Sequence, residues 1–160
     1  MGDAELSWSE RQLNDRDSAR DEYPRFHLAF PVTDLTEARR FYGEFLGCPE
    51  GRSSPEWVDF DFHGHQIVAH KVATGAMSDA TSLVDGDHVP VRHFGVILSM
   101  AAWRELAAKL QAAKTRFVIE PHVRFQGLAG EQATMFFLDP FGNALEFKAF
   151  ENIAQLFARQ

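Results

Sequence analysis

The sequence predicts an α+β protein made of two βαβββ modules in tandem. Two observations lead to this prediction: the order strand, helix and about three strands occurs twice, and each opening strand carries a histidine near its start. These histidines are His27 and His93. Because a repeat at this spacing indicates an internal duplication, we expect the modules at about 23–73 and 91–150.

The first module opens with an alternating strand at 25–32, RFHLAFPV. The next segment, 33–47, predicts a helix because it has capping side chains at its start, an apolar stripe along one face and a glycine at its end. A strand pair then follows at 56–62 and 66–72, on either side of the turn sequence HGH. The first module is therefore predicted to consist of a strand, a helix and a strand pair, in this order.

The second module repeats this order. Its opening strand is predicted at 92–99, which is rich in β-branched residues, and its helix at 101–114, which has an apolar side. Two further strands are predicted at 117–121 and 131–139. After a turn at PFGN, the closing strand at 144–150 alternates between its two faces.

Three segments lie outside the modules. Residues 1–22 are rich in Asp, Glu and Arg, which is typical of a mobile arm or a loosely attached helix. Residues 74–90 are rich in Gly, Ser, Asp and Thr and are predicted to link the modules. Residues 151–160 are expected to form a short C-terminal helix.

Composition narrows the possible classes of function. The 160 residues are 45% hydrophobic, enough for one domain with a core. A net charge of -7 argues against a nucleic-acid partner, because polyanion binding requires a basic face. No run of eighteen apolar residues occurs and no charged-then-apolar leader opens the chain, so we expect a cytoplasmic protein without a membrane partner. The single cysteine, Cys48, excludes an internal disulfide, and its place at a predicted helix end favours a structural thiol over a nucleophile.

A carboxylate in the closing strand raises a question of function. Glu146 lies on the face opposite Leu145 and Phe147 in the run ALEFKAF. It is either solvated, paired with a Lys or Arg, or directed into a cavity. Taken alone, Glu146 or either opening-strand histidine is most often an ordinary strand residue. Two imidazoles and one carboxylate together, however, match the facial triad that holds a divalent metal.

Three segments resemble the vicinal oxygen chelate superfamily, which includes glyoxalases, extradiol ring-cleaving dioxygenases, epimerases and antibiotic-resistance proteins. They are FHLAFPVTDLTEARRFYGEFLG, RHFGVIL and FFLDPFGNALEFKAF. The resemblance implies a curved, partly closed mixed sheet around a metal cavity. In metal-binding members, the Glu of the closing signature and a histidine in each opening strand are ligands. Carried over by position, these are His27, His93 and Glu146.

The resemblance also bears on a fourth ligand, which glyoxalases take from the last strand of the first half. Aligning the two closing strands by their turn glycines places Val68 opposite Glu146. Valine cannot bind a metal, which favours the members with three ligands. His70 and Gln66 lie two residues away on the same face, so a slip of one pair in the register would bring either to the metal.

The three-ligand members that the chain resembles are extradiol-type dioxygenases, which cleave a catechol-like substrate with ferrous iron and dioxygen. A histidine or tyrosine commonly assists proton transfer in such sites. Our candidates for catalysis are His70 and Tyr42, and His65 and His122 are of a suitable type. Gln66 and Arg124 are candidates for substrate binding, although Arg124 could equally be a solvated residue of a hairpin.

Other activities remain open within the same resemblance. A metal-dependent isomerase, lyase or resistance transferase would use the same three ligands with zinc, nickel, cobalt or manganese. A metal-free binding protein is a further alternative, although such members generally lack the ligand set. In each case we expect a small-molecule substrate or ligand, and the resemblance implies a homodimer.

Overall fold

The computed structural model describes residues 24–73, 81–84, 87–90, 92–124, 126 and 131–157. The arm predicted at 1–22 lies outside this part of the chain. Within it, the longest α-helix has 13 residues, and no helix there has the length and apolar composition of a membrane span.

The first module forms a four-stranded mixed sheet with one helical segment. Its strands are β1 (His27–Val32), β2 (Glu50–Ser53), β3 (Trp57–Phe62) and β4 (His65–Lys71). They lie in the order β1-β4-β3-β2, with β1 parallel to β4. The first helix, Leu35–Ala38, continues as a π-helix over Arg39–Phe45. It begins at Asp34, whose carboxylate accepts a hydrogen bond of 2.9 Å from the main-chain N–H of Glu37.

The second module repeats the arrangement around a central closing strand. Its elements are β7 (His93–Phe94), β8 (Ile97–Leu98), the second helix (Met100–Ala112), β9 (Phe117–Arg124), β10 (Gln132–Leu138) and β11 (Ala144–Phe150). Strand β11 pairs antiparallel with β10 and parallel with both β7 and β8. The opening strand predicted at 92–99 is therefore two short strands, interrupted at Gly95 and Val96. A 3-10 helix, Ile153–Phe157, follows β11.

The segment predicted as a linker contains secondary structure of its own. Strands β5 (Thr81–Val84) and β6 (Asp87–Pro90) form a two-stranded antiparallel sheet. The Asp-Gly pair between these strands in the sequence is a strong hairpin signal. Because the surrounding residues are rich in Gly, Ser, Asp and Thr, this hairpin signal was missed and the segment was predicted to be a linker.

The two modules share one core, and the prediction of an α+β fold with tandem modules is confirmed. Both sheets are mixed, and neither closes into a barrel. Their inner faces meet through aromatic rings: Phe30 lies 5.2 Å from Phe94, and Phe62 lies 5.8 Å from Phe147, between ring centroids. Because strand residues alternate between faces, the immediate neighbours of these phenylalanines lie on the outer faces.

A buried polar cluster joins the modules. The fully buried Tyr42 donates a hydrogen bond of 2.7 Å to Asp139 Oδ2. Asn143 donates through Nδ2 to the same carboxylate oxygen at 2.7 Å and to the carbonyl oxygen of Pro31 at 2.9 Å. Burial raises the pKa of Tyr42 well above its usual value. Its neutral hydroxyl therefore acts here as a structural donor inside the core.

We expect Tyr42→Phe to lower the free energy of unfolding by about 1–3 kcal/mol, because Asp139 loses a buried donor. Urea denaturation measures this change. Metal content and activity should stay at the wild-type level, since the hydroxyl is enclosed by the core. A variant of unchanged stability that lost activity would instead assign Tyr42 the catalytic role considered from the sequence.

Candidate metal centre

Parallel pairing of β7 with β11 brings His93 and Glu146 together. The register sets His93 beside Ala144, so the side chains of His93 and Glu146 meet on the outer face of the second sheet. His93 Nε2 lies 3.4 Å from Glu146 Oε2, and the two side chains are 33% and 16% exposed. The pair is thus partly shielded yet reachable from solvent.

The other ring nitrogen of His93 has a partner that defines the tautomer. Nδ1 lies 2.7 Å from the carbonyl oxygen of Pro90. Because a carbonyl oxygen only accepts, Nδ1 carries a hydrogen, and in the neutral ring Nε2 presents a lone pair. The ring also packs edge-on against Phe136, with centroids 4.9 Å apart. Both the orientation and the free nitrogen of His93 are therefore set by the fold.

The carboxylate of Glu146 is held by one of its two oxygens. Thr134 donates a hydrogen bond of 2.9 Å to Oε1, and Lys148 Nζ lies 3.6 Å from the same oxygen. This leaves Oε2 directed towards His93. The sequence left three possibilities for Glu146: solvation, pairing with a basic residue, or direction into a cavity. In the structure, one oxygen of Glu146 lies near Lys148 and the other faces the imidazole of His93.

A close main-chain contact sets the spacing of this pair. Gly95 lies between β7 and β8, and a Cβ atom added there would overlap the carbonyl group of Glu146. Any other residue would therefore force β11 away from the chain that carries His93. The glycine in the motif RHFGVIL is thus part of the geometry of the centre.

His27 has the corresponding arrangement in the first sheet. Its Nδ1 lies 2.7 Å from Gln66 Oε1, and Gln66 donates through Nε2 to Asp59 Oδ2 at 2.8 Å. Because an amide oxygen only accepts, His27 carries its hydrogen on Nδ1. Like His93, it presents Nε2 as a lone pair.

The structure brings two of the three predicted ligands, His93 and Glu146, together. Phe30 on β1 faces Phe94 on β7 in the shared core, which places His27 and His93 on outer faces of different sheets. Among the described residues, no group of three or more His, Cys, Asp or Glu side chains is placed to hold a metal ion.

The first sheet also locates the candidates for a fourth ligand. Gln66 is the residue paired with His27, and Val68 follows on the same face beside Ala29. His70 lies four residues beyond Gln66 on β4, roughly 13 Å along the strand at about 3.3 Å per residue. The register therefore places Gln66, not His70, beside His27.

The remaining candidates occupy varied positions. Gln66 has both ends of its amide bonded to protein groups. Arg124 is half-buried at the end of β9, opposite Gln132 on β10. His122 bonds through Nδ1 to the carbonyl oxygen of Glu120 at 2.9 Å, and His65 Nδ1 accepts the main-chain N–H of Phe26 at 3.2 Å.

Sequence reasoning missed the residues that bond to the candidate ligands. Thr134 and Pro90 bond Glu146 and His93, and Asp59 bonds the amide beside His27. The polar residues Thr134 and Asp59 interrupt the apolar runs QATMFFL and WVDFDF, and this interruption was the available signal.

A cavity of about 280 Å³ opens beside Asp59 and Gln66 on the first sheet.

The lone cysteine takes no part in the centre. Cys48 is buried in the core of the first module, and burial raises the pKa of its thiol to about 12. Since the thiolate is the nucleophilic form, this environment suits a structural thiol.

Comparison with known proteins identifies the family. The model of the Glyoxalase/Bleomycin resistance protein/Dioxygenase superfamily matches residues 26–147. The chain belongs to this superfamily. No curated protein matches it. Members of the superfamily are mostly metal-dependent enzymes that act on small molecules, so the outward-facing histidines and carboxylate occur in a suitable setting.

Solved structures of the superfamily share the fold. A glyoxalase/bleomycin resistance protein/dioxygenase from Alicyclobacillus acidocaldarius is 32% identical, with 84% of this chain and 96% of that chain covered and a TM-score of 0.68. The fosfomycin resistance protein FosX from Listeria monocytogenes is 16% identical over 83% and 97%, with a TM-score of 0.59. Lactoylglutathione lyase from Agrobacterium tumefaciens is 19% identical over 86% and 98%, with a TM-score of 0.59.

We expect Gly95→Ala to separate His93 from Glu146, because the added methyl group requires β11 to move. The free energy of unfolding should fall by about 1–3 kcal/mol, and metal content should fall with it. Gly43→Ala is the matched control, since its added Cβ would have no neighbour closer than 3.8 Å. Equal metal content in the two variants would show that the glycine does not set the spacing of the pair.

Proposed function

We propose that this chain is a metal-dependent enzyme whose metal is held by His27, His93 and Glu146. The observation that carries the proposal is the shared pattern at both histidines. Each is bonded through Nδ1 to a protein oxygen, which leaves Nε2 as a lone pair. Such partners are typical of metal-binding histidines, because they define the tautomer and orient the ring.

The distance between His93 and Glu146 supports the same conclusion. Two ligands that lie about 2.1 Å from one metal, at angles of about 90–110°, are roughly 3.0–3.4 Å apart. The separation of Nε2 from Oε2 is 3.4 Å. The donor set of neutral imidazoles and a carboxylate also suits a divalent ion of the first transition series.

We further propose that two copies of the chain pair to complete each centre. His27 of the partner subunit would then join His93 and Glu146, because no group of three such side chains among the described residues is placed to hold a metal ion within one chain. A twofold axis repeats the contact, so a homodimer would hold two equivalent centres.

The activity that we propose is extradiol-type cleavage of a catechol-like substrate with ferrous iron and dioxygen. His27, His93 and Glu146 would hold a ferrous ion by three ligands, and the ion would supply open positions for substrate oxygens and dioxygen. Lys148 adds a positive charge beside Glu146, which favours the ionised form of a diol there. Arg124 shares the outer face of this sheet and remains our candidate for an anionic substituent, and His70 remains our candidate for proton transfer.

We expect purified wild-type protein to contain one equivalent of metal per chain, and Glu146→Gln to contain almost none while keeping its fold. Plasma mass spectrometry and circular dichroism measure these two properties. Glu120→Gln is the matched control, because Glu120 is exposed on the same sheet. Iron together with oxygen uptake on a catechol supports the dioxygenase.

Other outcomes of this measurement would overturn part of the proposal. Zinc, nickel, cobalt or manganese at the same stoichiometry, without oxygen uptake, would replace the dioxygenase with an isomerase, lyase or resistance transferase. Absence of metal after anaerobic loading with ferrous iron would leave a small-molecule binding protein.

Mixed dimers test whether each centre is shared between subunits. In a dimer of one His27→Ala chain and one Glu146→Gln chain, both changes fall in one centre and the other centre is intact. We therefore expect one metal per mixed dimer, isolated with two different affinity tags, and none in either variant alone. A mixed dimer without metal would place all three ligands in the same chain.

A further inference from the structure

We propose that Asp59 and Gln66 are positioning residues that hold the His27 ring in the tautomer able to bind metal. This inference rests on the proposed function, since it concerns how one ligand is prepared. It assigns a role to a buried carboxylate that touches neither His93 nor Glu146 among the contacts of the described residues.

The three residues form a line across neighbouring strands of the first sheet. Asp59 lies in the middle of β3 and is only 7% exposed. Its Oδ2 accepts a hydrogen bond of 2.8 Å from Gln66 Nε2 on β4. Gln66 Oε1 in turn lies 2.7 Å from His27 Nδ1 on β1.

Asp59 determines the direction of this line because a carboxylate only accepts hydrogen bonds. The NH2 group of Gln66 must therefore face Asp59, and its oxygen must face His27. An oxygen at that position requires the hydrogen of the imidazole to be on Nδ1. Nε2 is then left with its lone pair on the outer face, ready for a metal.

Reversal of the amide would produce the opposite result. Its NH2 group would then face His27, Nδ1 would have to accept, and the hydrogen would move to Nε2. Nε2 in that form cannot bind a metal. Without an acceptor-only group at position 59, none of the side-chain hydrogen bonds of Gln66 to the described residues favours one amide orientation over the other.

The two histidines differ in how their tautomers are defined. His93 Nδ1 faces a main-chain carbonyl oxygen, which cannot turn over. His27 faces a side-chain amide, which can. A buried carboxylate beside the Gln66 amide can therefore define the tautomer of His27. At His93 the main-chain carbonyl already defines the tautomer, so no such group is needed. Arg52, whose Nε lies 3.7 Å from Asp59 Oδ2, adds a largely exposed charge that favours an oxygen at this position.

The experiment uses the full-length protein, first without metal and then with zinc. Long-range proton–nitrogen NMR at about pH 8, where an ordinary imidazole is neutral, reports the tautomer of His27, with the signal assigned by its loss in His27→Ala. Competition with a chromophoric chelator reports the affinity for Zn²⁺. The variants are Asp59→Ala, Asp59→Asn, Gln66→Met and Arg52→Gln.

We expect wild type and Arg52→Gln to show the Nδ1–H form alone. Asp59→Ala and Gln66→Met should show a large fraction of the Nε2–H form and bind Zn²⁺ about 10–100-fold more weakly. Asp59→Asn should largely restore both properties, because Arg52 orients the oxygen of the new amide towards Gln66. Loss of packing alone would not change the tautomer in Asp59→Ala and restore it in Asp59→Asn. If Asp59→Ala does not fold, Gln66→Met provides the test instead.

Two results would overturn the inference: an unchanged Nδ1–H form in Asp59→Ala and Gln66→Met, or a changed tautomer with unchanged affinity for Zn²⁺. A different result separates the inference from the proposed function. Suppose that wild type binds no metal but Asp59→Ala alters the tautomer of His27. This result would support the orienting role of Asp59 and contradict the proposed metal-dependent activity.

Discussion

The packing of aromatic rings between the two sheets decides where the polar groups of the candidate centre lie. Phe147 is buried and Phe94 partly buried against rings of the first sheet, and they are the sequence neighbours of Glu146 and His93. Because strands alternate with a period of two, burial of the aromatic pair presents the polar pair on the outside. A slip of one residue would bury the polar pair and expose the rings, so the hydrophobic core itself protects this arrangement.

The hydrogen bonds at the candidate centre would lower the entropic cost of binding a metal ion. Rings that are already turned and hydrogen-bonded lose little rotamer freedom on binding. The two modules reach this state by different means, since a main-chain carbonyl bonds His93 and a side-chain amide bonds His27. Duplicated halves have thus kept equivalent positions for the histidines while changing the groups that support them.

The elements with the clearest periodicity could be predicted from the sequence, and those set by tertiary contacts could not. Alternation defines β11, Ala144–Phe150, at the bounds expected. Strand β2, Glu50–Ser53, is exposed throughout and offers no apolar pattern. The predicted strand 92–99 is interrupted because Gly95 packs on the main chain of β11. Resemblance supplied His27, His93 and Glu146 as candidates, but the contact between His93 and Glu146 depends on the register of β7 with β11.

The buried carboxylate of Asp139 has a consequence for how the molecule folds. Its donors come from both halves of the duplication: Tyr42 belongs to the first module, and Asn143 also binds the carbonyl group of Pro31 on β1. Separating the halves would remove the Tyr42 donor from Asp139 and the Pro31 acceptor from Asn143, and it would expose the core that both halves share. The modules therefore repeat in architecture but form a single cooperative unit in unfolding.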